Sequence, residues 1–313
     1  MSSLIPERPA VPDYPTASPY QKELDVARAY FHEQLQSSDI EWDSQTKSDV
    51  ELGAKKDAED PSAPNTVRGV TLVKGVSPET FLFGVITSDR MRRLWDARLD
   101  SSGIVASYSP DEFTFYSTTK GFSFVVSGRD IVGASRIFEV GDGYELVQTS
   151  VDDLVPAQKG KTRATLFLGG WKVEAVGSDT KVTYVVKVAL NGSMPSAIVN
   201  KVATETPMCV GTARDTFHKH GFAPYIRRSS LSPKDLVVQN QRNADDVYRL
   251  TLSTRTVDAE VDVVFDREKL HKGGVSVSVE GEGVETSVNE TEGVIKVRAT
   301  QENKEVVVVV RAK

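Results

Sequence analysis

The chain has 313 residues, 39% of them hydrophobic and 26% charged, with a formal net charge of −6. This composition is ordinary for a globular protein, and an acidic balance without a long basic tract argues against a nucleic-acid partner. The single cysteine, Cys209, rules out an internal disulfide framework and suits a reducing compartment. The longest apolar run, Val306 to Val310, is far short of the ~18 residues of a membrane span.

Residues 1–19 carry Pro6, Pro9, Pro12, Pro15 and Pro19 and read as an extended, disordered leader. Tyr20 to Gln36 reads as a helix, because Leu24, Ala27, Tyr30, Phe31 and Leu35 recur at i, i+3, i+4 spacing. WDSQTKSDVELGAKK and VRGVTLVKG then read as two strands around the loop AEDPSAPNT. In SPETFLFGVITSDRMRRLWDARL, Ser77 is a good N-cap, Pro78 suits the first helical position and Glu79 the first turn.

From Ile104 onward the pattern is strands: IVASYS, EFTFYST, FSFVVSGRDIVGASRIFEV, GYELVQTSV, TRATLFLGGWKVEAV and KVTYVVKVAL. SMPSAIVNKVATETPMCVGTARDTFHKH reads as a long helix interrupted at Pro207. Residues 224–245 are turn-rich and read as a linker. Residues 246–313 alternate with period two over five segments and read as a small all-β domain of the sandwich kind. The fold class expected is therefore α+β followed by all-β.

No residue pattern points to catalysis, a cofactor or a metal. There is no nucleophile elbow, phosphate loop or metalloprotease helix, and His218 and His220, two apart, would diverge on a helix. The sequons at Asn191 and Asn289 read as chance matches. The odd feature is SVDDLVPAQKGKTRA, Ser150 to Ala164, about ten residues where a hairpin needs two to five.

Four motifs give that loop a context. RRLWD (Arg92 to Asp96), GRDIV (Gly128 to Val132), SV…VPAQKGKTRA and TYVVKVALNGSMPSAIVN together resemble, in order and spacing, those of the START (steroidogenic acute regulatory protein-related lipid transfer) domain family. The resemblance covers residues 20–223. It implies a helix-grip architecture, a curved antiparallel sheet around a long C-terminal helix that encloses a lipid tunnel. It implies a non-enzymatic protein that binds or transfers one lipid, cytoplasmic and only transiently at membranes. The alternative is a lipid sensor or interaction module that acts through a protein partner of the C-terminal β domain.

The resemblance also implies site residues. Arg92 and Asp96, on one helix, would face a phospholipid head group. Tyr116, Ile131 and Phe167 stand near aromatic positions that surround choline in phospholipid-binding branches, so the cage would be incomplete. Sterol-type branches carry an acid near Tyr116 and a base near Ser135; neither is present, which favours phospholipid over sterol. Trp171, Tyr184, Val186, Val202 and Met208 would line the tunnel. The 152–161 loop, with Leu154, Val155, Pro156, Lys159 and Gly160, would be the gate, and Pro207 the kink on the facing helix. Arg129 and Asp130 are expected as a fold-stabilising ion pair. From the residues alone, Val182, Tyr184, Val186 and Val188 share one strand face, taken as the inner one, whereas Leu166, Phe167 and Leu168 leave the next strand undecided.

Overall fold

The computed structural model describes residues 18–60, 62–121, 126–151, 154–232, 234–244 and 246–313. Residues 1–17 of the proline-rich leader lie outside them, as do Asp152 and Asp153 of the long loop. In chain order the elements are α1 (Gln21–Gln36), β1 (Asp43–Lys47), β2 (Val50–Lys55), β3 (Thr66–Val73), α2 (Pro78–Phe81), α3 (Asp89–Trp95), β4 (Leu99–Ser107), β5 (Glu112–Thr119), β6 (Arg129–Val140), β7 (Gly143–Ser150), β8 (Thr162–Arg163), β9 (Thr165–Val176), β10 (Asp179–Ala189), α4 (Ser196–Glu205) and α5 (Cys209–His220). There follow β11 (Tyr225–Ile226), β12 (Leu236–Ala244), β13 (Val247–Thr254), β14 (Glu260–Val264), β15 (Val275–Glu280), β16 (Val284–Asn289), β17 (Val294–Ala299) and β18 (Glu305–Ala312). The chain divides into two compact units: one holds the described residues through Pro78 with Asp96–Arg214, the other Glu79–Trp95 with Asp215–Lys313.

The first unit is a ten-stranded sheet in the order β1-β2-β3-β10-β9-β7-β6-β5-β4, antiparallel along that path, with β8 beside β6. Both faces are covered. On one, Ala27 and Phe31 of α1 pack with Trp42, Val147, Leu168 and Val185. Gly170 makes this possible, since a Cβ there would stand 2.5 Å from the Phe31 ring. The buried Glu145 carboxylate of β7 accepts from Arg28 at 3.1 Å and meets His32 at 2.9 Å, orienting α1 on the sheet. On the other face, called inner below, lies α4.

Local sequence reading missed several breaks. The first expected strand is a hairpin, β1–β2, turned by Ser48 and Asp49 at φ 50° and 56°. The expected 77–99 helix is in pieces: α2, a π-helical turn over Leu82–Ile86 that is wholly buried, and α3, restarted where Ser88 Oγ accepts Met91 N–H. The long C-terminal helix is two helices, parted at Pro207 as expected.

The second unit is a sandwich of two four-stranded sheets, β11-β14-β17-β16 and β12-β13-β18-β15. Residues 224–245, read as a linker, instead supply β11 and β12, because Leu236 to Ala244 has its own partner in β13. Alternate residues Val306, Val308 and Val310 of β18 join Leu250, Leu252, Val261, Val263 and Ile295 in the shared core. The valine-rich β18 is an interior strand, paired by β13 and β15. That removes the aggregation hazard of an exposed edge.

Two outcomes follow. Phe31→Ala should cost about 3–5 kcal/mol in chemical denaturation, the usual range for a buried aromatic. A hydrogen bond from Lys187, then those from the Asp60 and Glu59 amides, hold the Asp57 carboxyl at about 2, against an ordinary 3.8. The tether of the 57–60 loop is therefore complete above pH 3.8 and lost as pH falls towards about 2. Protection of the Glu59 and Asp60 amides, relative to the intrinsic exchange rate at each pH, should fall across that window, and Asp57→Asn should abolish the dependence.

Candidate functional site

The inner face is built from neighbouring strands in register. Ala54, Val67 and Val186 lie side by side across β2, β3 and β10. With Phe113, Phe115, Ile131, Leu166, Tyr184, Val188 and Ala203 of α4 they form one apolar group. Within this face runs a row of a different kind. Ser135 of β6 pairs with Gln148 of β7, and Gln148 with Gly169 of β9, which is next to Val186. Ser135 is fully buried and its Oγ has no hydrogen-bond partner. Gln148 Oε1 is 3.7 Å from where a Cβ at Gly169 would stand. An apolar surface thus carries one hydroxyl and one amide beside a glycine.

The helices over this face are seated by glycine. A Cβ at Gly69 of β3 would be 2.1 Å from the Pro207 carbonyl, so the break between α4 and α5 rests directly on the strand. Arg214 of α5 fixes the far side, donating to the carbonyls of Ser48 and Asp49 and to Thr71 Oγ1.

Several expected residues meet here. Ile131, Tyr184 and Val186 belong to the inner apolar group. Trp171 lies opposite Tyr184 and stacks on it at 4.2 Å and 22°. Val202 is buried on α4; Met208, beyond the break, is half-buried.

Others do not. Tyr116 is buried but alternates with Phe113 and Phe115, so it points to the opposite face; the aromatic facing α4 is its neighbour Phe115. Phe167 is 46% exposed. It is the extra residue of a β-bulge: Lys187 pairs with Leu168 but Val188 with Leu166. The bulge puts Leu166 on the inner face and Leu168 under α1, which is why alternation left this strand undecided. Arg92 and Asp96 do not share a helix: α3 ends at Trp95, Arg92 belongs to the second unit and Asp96 to the first.

Arg129 and Asp130 do not pair with each other, because successive strand residues point to opposite faces. Arg129, which burial pushes below the usual guanidinium value, donates to the carbonyls of Leu190, Asn191 and Ser127. Asp130 accepts from Arg163. In the long loop Pro156, Lys159 and Gly160 are exposed and Val155 half-buried, whereas Leu154 packs on the α1 side with Leu24, Ala134 and Val151. Lys161, a second basic residue of this loop, is taken by Asp100 at 2.6 Å and the Thr119 carbonyl. Sequence reasoning missed Phe113, Phe115 and the Ser135–Gln148–Gly169 row, since only strand register brings them together, and it left the face of Leu166 undecided.

Comparison with known proteins agrees with this architecture. The START domain family model matches residues 28–221, and the chain belongs to that family of lipid-binding and lipid-transfer domains. The helix-grip START fold is followed by separate all-β sheets in the C-terminal region. The crystal structure of human STARD10 superposes with a TM-score of 0.55 at 18% identity, covering 65% of this chain and 81% of that one. Human StAR-related lipid transfer protein 5 gives 0.55 at 20% identity, covering 64% and 99%. Steroidogenic acute regulatory-like protein 1 of Caenorhabditis elegans is 42% identical over 85 residues, 25% of this chain and 32% of the relative. The chain thus spans about a third of that curated relative.

Gly69→Ala should force the α4–α5 junction off β3. The expected cost is about 1–3 kcal/mol, the range for inserting a methyl into a packed site. Hydrogen exchange should show it as lost protection in residues 202–214.

Proposed function

We propose that this protein binds one lipid against the inner face, beneath α4, and carries it between membranes. The observation that carries the reading is the buried Ser135 hydroxyl without a partner, set in an otherwise apolar face covered by a helix. Leaving a buried polar group unmade costs about 1–3 kcal/mol. A ligand that is apolar over most of its length, with one hydrogen-bonding group at this depth, repays that cost.

The motifs favour a phospholipid over a sterol; the inner face argues for the reverse. Arg129 is spent on carbonyls, Tyr116 and Phe167 are turned away, and Ser135 and Gln148, the polar pair set among the apolar residues, are uncharged. A charged phosphate needs a forked cationic partner there. An uncharged hydroxyl or amide head group, as in a sterol or a diacyl lipid without phosphate, needs only the serine and glutamine. Exchange is gated by the 154–161 segment and the α4–α5 helices, with Lys159 at the exposed loop tip and Val199 on exposed α4 in transient contact with the membrane. A lone Cys209 suits a reducing compartment, and we read the activity as cytoplasmic.

The test is transfer between vesicles. A fluorescent sterol should move from donor to acceptor vesicles faster with protein than without. Gly169→Leu should abolish most of that movement by placing a bulky side chain beside Ser135 and Gln148, because even a Cβ there would meet Leu166 at 3.4 Å and Gln148 at 3.6 Å. Transfer of phosphatidylcholine but not sterol overturns the uncharged head group; transfer of neither overturns the function.

A further inference from the structure

We propose that Arg129 and Asp130 form a two-sided latch that sets how fast lipid enters and leaves. The inference rests on the lipid-transfer reading and adds the residues that control its rate.

Arg129 and Asp130 are consecutive residues of β6, so their side chains leave opposite faces of the strand. Both are buried, at 3% and 1% exposure. Arg129 Nε donates to the Leu190 carbonyl at 2.9 Å and Nη2 to the Asn191 carbonyl at 3.0 Å. These residues form the turn between β10 and α4, where Asn191 and Gly192 take φ 50° and 67°. The third donor, Nη1, reaches the Ser127 carbonyl. One guanidinium therefore fixes the start of the turn that leads from β10 to α4.

Asp130 works on the other side. Its Oδ2 accepts from Arg163 Nε at 3.0 Å, from Arg163 Nη2 at 2.8 Å and from the Gln158 amide at 3.3 Å. Arg163 Nη2 also donates to the Val155 carbonyl at 3.0 Å. Two points of the long loop, Val155 and Gln158, thus hang on a single carboxylate–guanidinium pair. The ladder gives little help: β8 is two residues long and meets β6 only at Arg129 and Asp130. Asn191 closes the circuit, its Nδ2 donating to the Arg163 carbonyl at 3.1 Å and to Thr165 Oγ1 at 3.0 Å.

The turn into α4 and the loop beside it are thus held at adjacent positions of one strand. Opening there breaks the bonds by which Gln158 and Val155 hang on the Asp130–Arg163 pair, and Asp130 Oδ1 has no hydrogen-bond donor of its own to hold the carboxylate in place. A buried carboxylate that loses its partner is costly, so this step sets the barrier. Buried position and charge make the pair a rate control instead of a mere brace.

The experiment uses the full chain loaded separately with a fluorescent sterol and a fluorescent phosphatidylcholine, then mixed with excess phosphatidylcholine acceptor vesicles. Asp130→Asn and Arg163→Met should unload about tenfold faster, equivalent to about 1.4 kcal/mol, at unchanged loading stoichiometry. Arg163→Lys, which keeps the charge but loses the fork, should fall between them and wild type. Protection of the Gln158 amide should drop in the same order, whether or not lipid is bound. Variants that unload at the wild-type rate with unchanged Gln158 protection overturn the latch. Variants that load less lipid without unloading faster also overturn it, since that marks a purely structural role. A wild type that loads neither lipid contradicts the transfer reading, while the Gln158 exchange still decides whether the pair holds the loop.

Discussion

The first unit depends on one close approach, the Pro207 carbonyl resting on the backbone of Gly69. No side chain fits between them. Because that contact is made by a strand beside β10, the α4–α5 junction is set against the middle of the sheet and not its edge. Ala203 then reaches the inner apolar group, and Arg214 can cap the β1–β2 turn. Proline suits the junction twice: it cannot continue the helix and it lacks the N–H that would need a partner. The other face repeats the device with Gly170 beneath Phe31. A sheet that seats a helix on each side must be apolar on both, which is why β9 and β10 read as nearly continuous hydrophobic runs.

Much of this was legible. The spacing of Leu24, Ala27 and Phe31 gave α1 its buried stripe, and Tyr184 and Val186 face inward as alternation required. The motif order pointed to the family, and period-two alternation after residue 246 pointed to a separate all-β region. What was not legible shares a physical cause: a side chain's direction depends on register, and register is set by distant strands. One bulge at Phe167 reverses the strand's assignment. A one-residue slip exchanges Tyr116 for Phe115. The adjacency of Arg129 and Asp130 suggested a pair, whereas strand geometry sends them to different partners. RRLWD looked like one helical face, but the helix ends before its aspartate. The turn-rich stretch before residue 246 hid β12, whose partner comes later in the chain.

These details bear on how a lipid would be held. Each methylene kept from water is worth about 0.8 kcal/mol, so an acyl or sterol body supplies ample affinity but little selectivity. Selectivity falls to the few polar atoms on the face. Ser135 and Gln148 offer hydrogen bonds without charge, and the buried Arg129 already donates to three backbone carbonyls. A lipid exchanged between one apolar environment and another gains little net free energy, so the rate is governed by opening. On the proposed latch, control lies in the loop and helix turn around β6, away from the groups that would choose the ligand.

The central claim is that a lipid occupies the inner face. Native mass spectrometry of the protein as purified from cells, with lipid extraction from the same sample, tests it most directly. The account predicts a mass increment of one lipid per chain, released on denaturation and identified as a species with an uncharged polar group. A bare polypeptide mass that stays bare after incubation with mixed-lipid vesicles would contradict it.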